Sequence, residues 1–238
     1  MSSKIDQALD VFNQLCTEVD ITSKSFQITN DVCFKVALAS ICFNPVFWNV
    51  VARLEYNTHF LTKLSGGPKN GCYLLAFTIF SLGIFRDYLY ERALKEQVTS
   101  DLLTGPIFTY AGYFFFALGN IFVLSSMWAL GVTGTYLGDY FGILMDHRVT
   151  GFPFNVLDNP MYVGSTLCFL GTALYFGKPA GLFATLFVHL LYSVALKFEE
   201  YVLFTFRFSL FSCLLTPTRP FTAEIYAKKA REEKKKAT

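Results

Sequence analysis

Charge is what this sequence has least of. Asp, Glu, Lys and Arg make up 16% of its 238 residues, where a water-soluble domain carries about 25%. That shortage argues against an ordinary soluble enzyme. The net charge of +2 is small, and no nucleic-acid partner is expected. Six cysteines, at positions 16, 33, 42, 72, 168 and 213, show no CxxC spacing. They read as small hydrophobes, with no disulfide framework and no metal site. No signal peptide is expected either. Residues 1–31 are polar and mixed in charge, so insertion into a membrane has to rest on internal segments. No internal repeat is visible.

What is present is apolar bulk. Hydrophobic residues account for 53% of the chain and aromatic residues for 18%, with 27 Phe. They fall in blocks, which is the pattern of membrane spans rather than of a buried core. Residues 4–19 place Ile5, Leu9, Phe12, Cys16 and Val19 at helical spacing. This amphipathic helix either packs on the protein or lies on the bilayer surface. The first strong block, 32–52, carries Asn44-Pro45 within it, which predicts a broken, partly embedded helix. Residues 53–70 read as a polar loop, 71–90 as a span and 91–105 as a charged connection. The clearest span is 106–131, followed by a Gly-rich loop over 131–160. Blocks 161–177 and 180–196 are separated by Gly177-Lys178-Pro179, a tight-turn signal that predicts a helical hairpin. The expected fold is an all-α polytopic membrane protein with three to four transmembrane helices. Its expected divisions are a polar N-terminal segment, 1–31, a membrane domain, 32–200, an unusual apolar insertion, 201–219, and a basic tail, 220–238.

Six of the 20 basic residues lie in Lys228–Thr238, which predicts a cytosolic C-terminus. Elsewhere the basic residues balance. Arg53, Lys63 and Lys69 flank one connection, and Arg86, Arg92 and Lys95 the next. The orientation of 71–131 stays open.

Two features suggest chemistry. Glu199 and Glu200 end the last strong block. Paired carboxylates at the edge of hydrocarbon are costly unless they meet a cation. They also oppose the negative end of a helix dipole. The second feature is the turn Leu157-Asp158-Asn159-Pro160-Met161-Tyr162-Val163-Gly164-Ser165, an ordinary helix start when taken alone. The hairpin, however, returns Asn159, Tyr162 and Gly164 to the membrane face that carries Glu199 and Glu200.

With the double Glu and the hydrophobic hairpin, the Asn-Pro-Met-Tyr-x-Gly motif resembles the small membrane phospholipid methyltransferases, relatives of enzymes that methylate isoprenylated cysteine. Further segments strengthen the likeness to the members that act on phosphatidylethanolamine. They are Phe43-Asn44-Pro45 with Trp48 to Arg53, Leu124-Ser125-Ser126, Gly134 to Gly142, Phe152 to Asn155 and Pro220 to Tyr226. The resemblance covers roughly residues 40–200 and 220–230. It implies S-adenosylmethionine (SAM) as methyl donor, a membrane phospholipid as substrate, and three methylations toward phosphatidylcholine. It also implies SAM contacts at the double Glu and at a Gly-x-Gly, which here falls on Ala117-Leu118-Gly119, its first Gly replaced. The nucleophile must be a neutral amine, yet such an amine has a pKa near about 10.4 in water, judged from Lys. A base is therefore useful. Asp139, Asp158, His147 and His189 are candidates, although His189 sits mid-helix as a packing residue would. Rival readings are a related methyltransferase acting on isoprenylcysteine, a sterol reductase using NADPH, and a non-catalytic membrane protein.

In the resembling family the double Glu runs almost directly into Pro220-Phe221-Thr222-Ala223-Glu224. Here residues 201–219 intervene, with four Phe, four Leu and Arg207 amid apolar neighbours. Such a composition is what translation of a retained intron would give. It is equally that of a lineage-specific interfacial helix. The terminal Lys235-Lys236-Ala237-Thr238 fits a di-lysine retrieval address for the endoplasmic reticulum. A generic basic tail near anionic lipid fits it too. A mitochondrial membrane is the second expected location.

Overall fold

The computed structural model describes Ile28, residues 31–145 and residues 149–200, the last four of these as backbone only. The expected helix at 4–19, His147, the run 201–219 and the basic tail lie outside the described residues. Among the described residues six α-helices are formed and no strand occurs. They are α1 (Val32–Thr58), α2 (Phe60–Ser65), α3 (Pro68–Glu96), α4 (Pro106–Thr135), α5 (Pro160–Phe176) and α6 (Pro179–Glu200). Among the described residues, four helical stretches are long and apolar enough to cross a membrane: Val32–Thr58, Pro68–Glu96, Pro106–Phe141 and Pro179–Leu196. The chain is thus an all-α polytopic membrane protein. With 17 residues, α5 is about 25 Å long. It lies between α4 and α6.

Helix directions alternate. At one end of the bundle, side-chain atoms of Asp31, Cys33 and Glu96 lie within 4.8 Å of one another. The α5–α6 turn docks at that same end. Lys178 Nζ donates to Gln97 O at 2.6 Å and to Thr99 Oγ1 at 2.7 Å, and Ser100 N donates to Gly177 O at 3.0 Å. Burial there pushes the Lys178 ammonium below its ordinary range, and the two acceptors offset that cost. Gly177 closes α5 with φ of 62°, a left-handed conformation that glycine adopts without strain. Residues 59–67, 136–145 and 149–159 and the end of α6 lie at the opposite end.

Two expectations about α1 and its connection are corrected. Pro45 does not break the block 32–52, because α1 runs through it to Thr58. A proline removes one backbone donor, but leaving the helix within hydrocarbon would strand several backbone groups, which costs more. Side chains also re-tie this stretch. Asn44 Nδ2 donates to Leu82 O of α3 at 3.3 Å, and Asn49 Nδ2 to Pro45 O at 3.0 Å. The polar segment 53–70 is likewise mostly helix. Buried Glu55 accepts from Leu61 N at 2.6 Å, from Thr62 N at 3.2 Å and from Thr62 Oγ1 at 2.5 Å. That carboxylate caps the first turn of α2. Similarly, α3 extends to Glu96 through ion pairs spaced four residues apart, such as Lys95–Glu91 at 2.7 Å.

The main core joins Phe34, Ala37 and Ile41 of α1 with Tyr90, Ala93 and Leu94 of α3, Phe169 of α5, and Ala180, Ala184, Val188 and Tyr192 of α6. Large apolar side chains also face outward, Trp128 being 90% exposed and Phe77 71%. That is an ordinary surface in lipid.

Helices α4 and α5 meet through glycines. A Cβ placed on Gly119 would lie 2.5 Å from Gly164 O, and one on Gly171 would lie 2.6 Å from Phe116 N and 2.7 Å from Gly112 O. Small residues let membrane helices approach backbone to backbone, where packing rather than water exclusion drives association. Gly171→Ala should therefore force α4 and α5 apart and cost about 1–3 kcal/mol. By contrast, a Cβ on Gly83 meets nothing within 4 Å, so Gly83→Ala should leave stability unchanged or slightly raised. Thermal unfolding of the two variants in detergent tests this. Equal midpoints would contradict it.

Candidate functional site

A cleft of about 970 Å³ opens between α3, α4 and α5, with Trp48 of α1 and Tyr192 of α6 also on its lining. That is the upper end of ordinary ligand pockets. One wall is a helical stripe of α3: Phe80, Gly83, Ile84, Asp87 and Glu91. The facing wall is a stripe of α4, from Phe116 and Asn120 to Met127 and Leu130. Ser165, Cys168 and Thr172 of α5 lie between them.

Polar groups concentrate on the α3 wall. The apolar run from Cys72 to Phe85 ends at Arg86-Asp87, ten residues before α3 stops. An ionisable pair inside a membrane helix has to find partners. The Arg86 side chain is only 12% exposed. Its Nε and Nη2 donate to Asp87 Oδ1 at 2.9 and 2.8 Å, and its Nη1 donates to Tyr192 Oη at 2.7 Å. The guanidinium also lies 5.1 Å from the centre of the Phe169 ring, within cation–π range. Tyr192 in turn meets Tyr162 edge-on, with ring centres 5.0 Å apart. Below it, Tyr90 packs 4.5 Å from Phe169 and donates to Phe169 O at 3.1 Å. One connected set therefore runs from Asp87 through Arg86 and Tyr192 to Tyr162.

The residues singled out by sequence divide. Asn159 and Tyr162 line the cleft. Gly119 and Gly164 are buried against each other in the α4–α5 contact and are absent from the lining. Ala117 is exposed and Leu118 half-buried, both off the lining. The place expected for a Gly-x-Gly cofactor contact is thus a helix-packing position. Glu199 and Glu200 are the last residues of α6, about two turns beyond Tyr192, and their side chains lie outside the described residues. The hairpin does return the chain as expected, since Tyr162 near the start of α5 meets Tyr192 near the end of α6.

Among the proposed bases, His189 is exposed on α6, facing neither the core nor the cleft. Packing, as read from the apolar helix, is not its situation. Asp158 is exposed in the turn before α5, and half-buried Asp139 bonds its own turn through the Tyr140 N–H. Neither lines the cleft. Sequence reasoning missed Asp87, Glu91 and Tyr192, and it weighed Arg86 only as a flanking charge. The signal was available, because Arg86-Asp87 interrupts an otherwise apolar block.

Comparison with known proteins decides the family. The family model "Phospholipid methyltransferase" matches residues 107–209. The phosphatidyl-N-methylethanolamine N-methyltransferase of Saccharomyces cerevisiae is 52% identical over 94% of this chain and 96% of its own length. This chain belongs to the phospholipid methyltransferase family. Its Emericella nidulans relative of the same name is 56% identical over 85% of this chain and 89% of that protein. Human phosphatidylethanolamine N-methyltransferase is 44% identical, with 87% and 94% covered. No solved structure matches. The protein is accordingly an enzyme of the methyltransferase class, and its cleft sits within the membrane-spanning helices.

Tyr192→Phe isolates one of the hydrogen bonds that tie α3 to α6. It keeps the ring contact with Tyr162 and removes the hydroxyl that accepts from Arg86. A charge-assisted bond is worth about 1.5–3 kcal/mol in water, but interhelical bonds in membranes average about 0.6. A loss of about 1–2 kcal/mol in detergent unfolding is expected. An unchanged midpoint would show that Arg86 finds an equivalent partner.

Proposed function

We propose that this enzyme methylates the amine headgroup of phosphatidylethanolamine, in successive steps toward phosphatidylcholine, with S-adenosylmethionine as donor. The observation that carries the reading is the cleft. It is large, sits between membrane helices, and is apolar except for the Arg86–Asp87 pair, Glu91 and a few hydroxyl and amide groups. A lipid with a cationic amine suits such a lining. So does the identity of 44–56% to enzymes named for phosphatidylethanolamine or its monomethyl derivative. The isoprenylcysteine reading draws no support from these relatives.

The residues present fit the proposed donor. SAM supplies an electrophilic methyl group on a cationic sulfur. The open end of the hairpin carries Asn159 and Tyr162 on the lining and, by chain position, Glu199 and Glu200 at the end of α6. Two carboxylates there would attract the cationic donor and hold its amino or ribose groups by charge-assisted hydrogen bonds. Gly119 and Gly164 serve that site by closing α4 onto α5, which fixes the cleft wall and the start of α5 together. Amine and methyl donor must be held in line, and a rigid lining supplies that positioning.

The cleft end that holds Asn159 is also where the chain leaves α6 toward its basic tail. With the basic segment 228–236 cytosolic, that end faces the cytosol, where a soluble methyl donor can reach it. A second acceptor reading has a specific basis. The fungal relatives at 52% and 56% identity are named for the monomethyl lipid, whereas the human relative, at 44%, is named for phosphatidylethanolamine. Vesicles holding each lipid as the single acceptor distinguish the two, because only the broader enzyme consumes unmethylated lipid.

Glu199→Gln and Glu200→Gln should each weaken SAM binding by roughly tenfold to a hundredfold, since one charge-assisted contact is worth about 1.5–3 kcal/mol. Insertion and expression should stay normal. Equilibrium binding to protein in lipid checks this, and unchanged affinity in both variants would remove the acids from the site.

A further inference from the structure

We infer that Asp87 is the carboxylate that meets the lipid's ammonium group and takes its proton, an assignment that rests on the phospholipid N-methyltransferase reading above. Asp87 stands at the centre of the α3 stripe that forms one cleft wall, with Phe80, Gly83 and Ile84 to one side of it along the helix and Glu91 one turn to the other. Its side chain is 60% exposed, whereas that of its partner Arg86 is 12% exposed. Both contacts from Arg86 fall on Oδ1, and Oδ2 has no protein partner among the described contacts. The other carboxylate on the lining, Glu91, is engaged by Lys95 at 2.7 Å. Glu91 also keeps an oxygen, but it is held only by the exposed Lys95, whereas Asp87 is fixed in the cleft by the buried Arg86.

Its position is also held. Arg86 is pinned by Tyr192 of α6 and by the Phe169 ring of α5, so the carboxylate it grips has little freedom. A base is useful only if it lies within hydrogen-bond reach of the proton it removes. Here the fixed carboxylate faces a cleft lined by aromatic and apolar groups, where a lipid ammonium has few other anions to choose from.

The step balances as follows. The headgroup ammonium binds with one N–H donated to Asp87 Oδ2. That N–H bond breaks, the proton passes to the carboxylate, and the nitrogen keeps the electron pair. The neutral amine then forms its N–C bond to the methyl group, displacing sulfur as a neutral thioether that retains the C–S electron pair. The product is a methylated ammonium, positive again, and the proton on Asp87 passes to water before the next round. The same cycle serves a primary, secondary or tertiary amine, which suits repeated methylation.

Asp87→Asn tests the assignment, because the amide oxygen can still accept from Arg86 while the charge and the base are lost. The charged and titratable groups around Asp87 are Arg86, Tyr90 and Glu91 on α3, Cys168 on α5 and Tyr192 on α6, and all are retained. With full-length enzyme in phosphatidylethanolamine vesicles, the variant should lose about a hundredfold or more in turnover. Its SAM affinity should stay within twofold of wild type. Its residual rate should climb about tenfold per pH unit between pH 7 and 9, as the fraction of neutral amine rises, and climb more steeply than the wild-type rate. Asp87→Glu, which keeps a carboxylate, should recover a measurable part of the rate. Asp87→Asn turnover within threefold of wild type, an unchanged pH slope, lost SAM binding, or Asp87→Glu as inactive as Asp87→Asn would each overturn the assignment. If wild-type enzyme in the same vesicles bound no SAM and methylated no lipid, the broader functional reading would fail instead.

Discussion

Hydrocarbon offers no water to a stranded charge, and Arg86 has to be satisfied by the protein alone. Each guanidinium contact it makes is to a different part of the structure: Asp87 on its own helix, Tyr192 on α6, and the Phe169 ring on α5. An ion pair with one buried and one exposed partner is weak evidence for stability as such. Its consequence is geometric. Satisfying Arg86 sets α3 against α5 and α6 at one register, and that register puts Asp87 and Glu91 on the wall of the cleft rather than into lipid.

The opposite wall depends on a different constraint. Gly112 and Gly119 of α4 meet Gly171 and Gly164 of α5, with backbone atoms where side chains would otherwise be. The pair closes tightly, so α4 and α5 form one rigid slab. Helix α3 makes much less contact with that slab, and the space between them is the cleft. A substrate already dissolved in the bilayer needs such an arrangement: firm walls, an apolar lining and polar groups in fixed places.

Much of this was legible in the sequence, for physical reasons. Long apolar blocks have few solutions in a membrane, so the all-α reading followed from composition. Gly177-Lys178-Pro179 between two apolar blocks implied a hairpin, and Tyr162 does meet Tyr192 across it. Boundaries were harder to see. Pro45 looked like a helix break because its cost in water is plain, whereas in lipid the alternative costs more. Residues 53–58 looked like loop because they are polar, yet Glu55 makes them the cap of the following helix. Within the site, motif reading found Asn159 and Tyr162 at the ends of elements, where turn signals stand out. It passed over Arg86 and Asp87, whose meaning depends on partners about 80 to 106 residues away along the chain. Gly119 shows how one residue type serves two ends. A glycine pattern suggested a cofactor contact, but the same small size serves helix packing.

The central claim is that the cleft between α3 and the α4–α5 slab receives the lipid headgroup. Photo-crosslinking tests it most directly, using a phosphatidylethanolamine analogue with a photoreactive group beside the amine, in vesicles, followed by peptide mapping. Labelling is expected within 79–91 of α3, 116–130 of α4 and 161–176 of α5, and excess unlabelled phosphatidylethanolamine should suppress it. Labelling confined to outward positions such as Leu186 and Leu190 of α6, or Val46 and Val50 of α1, would place the headgroup elsewhere and contradict the claim.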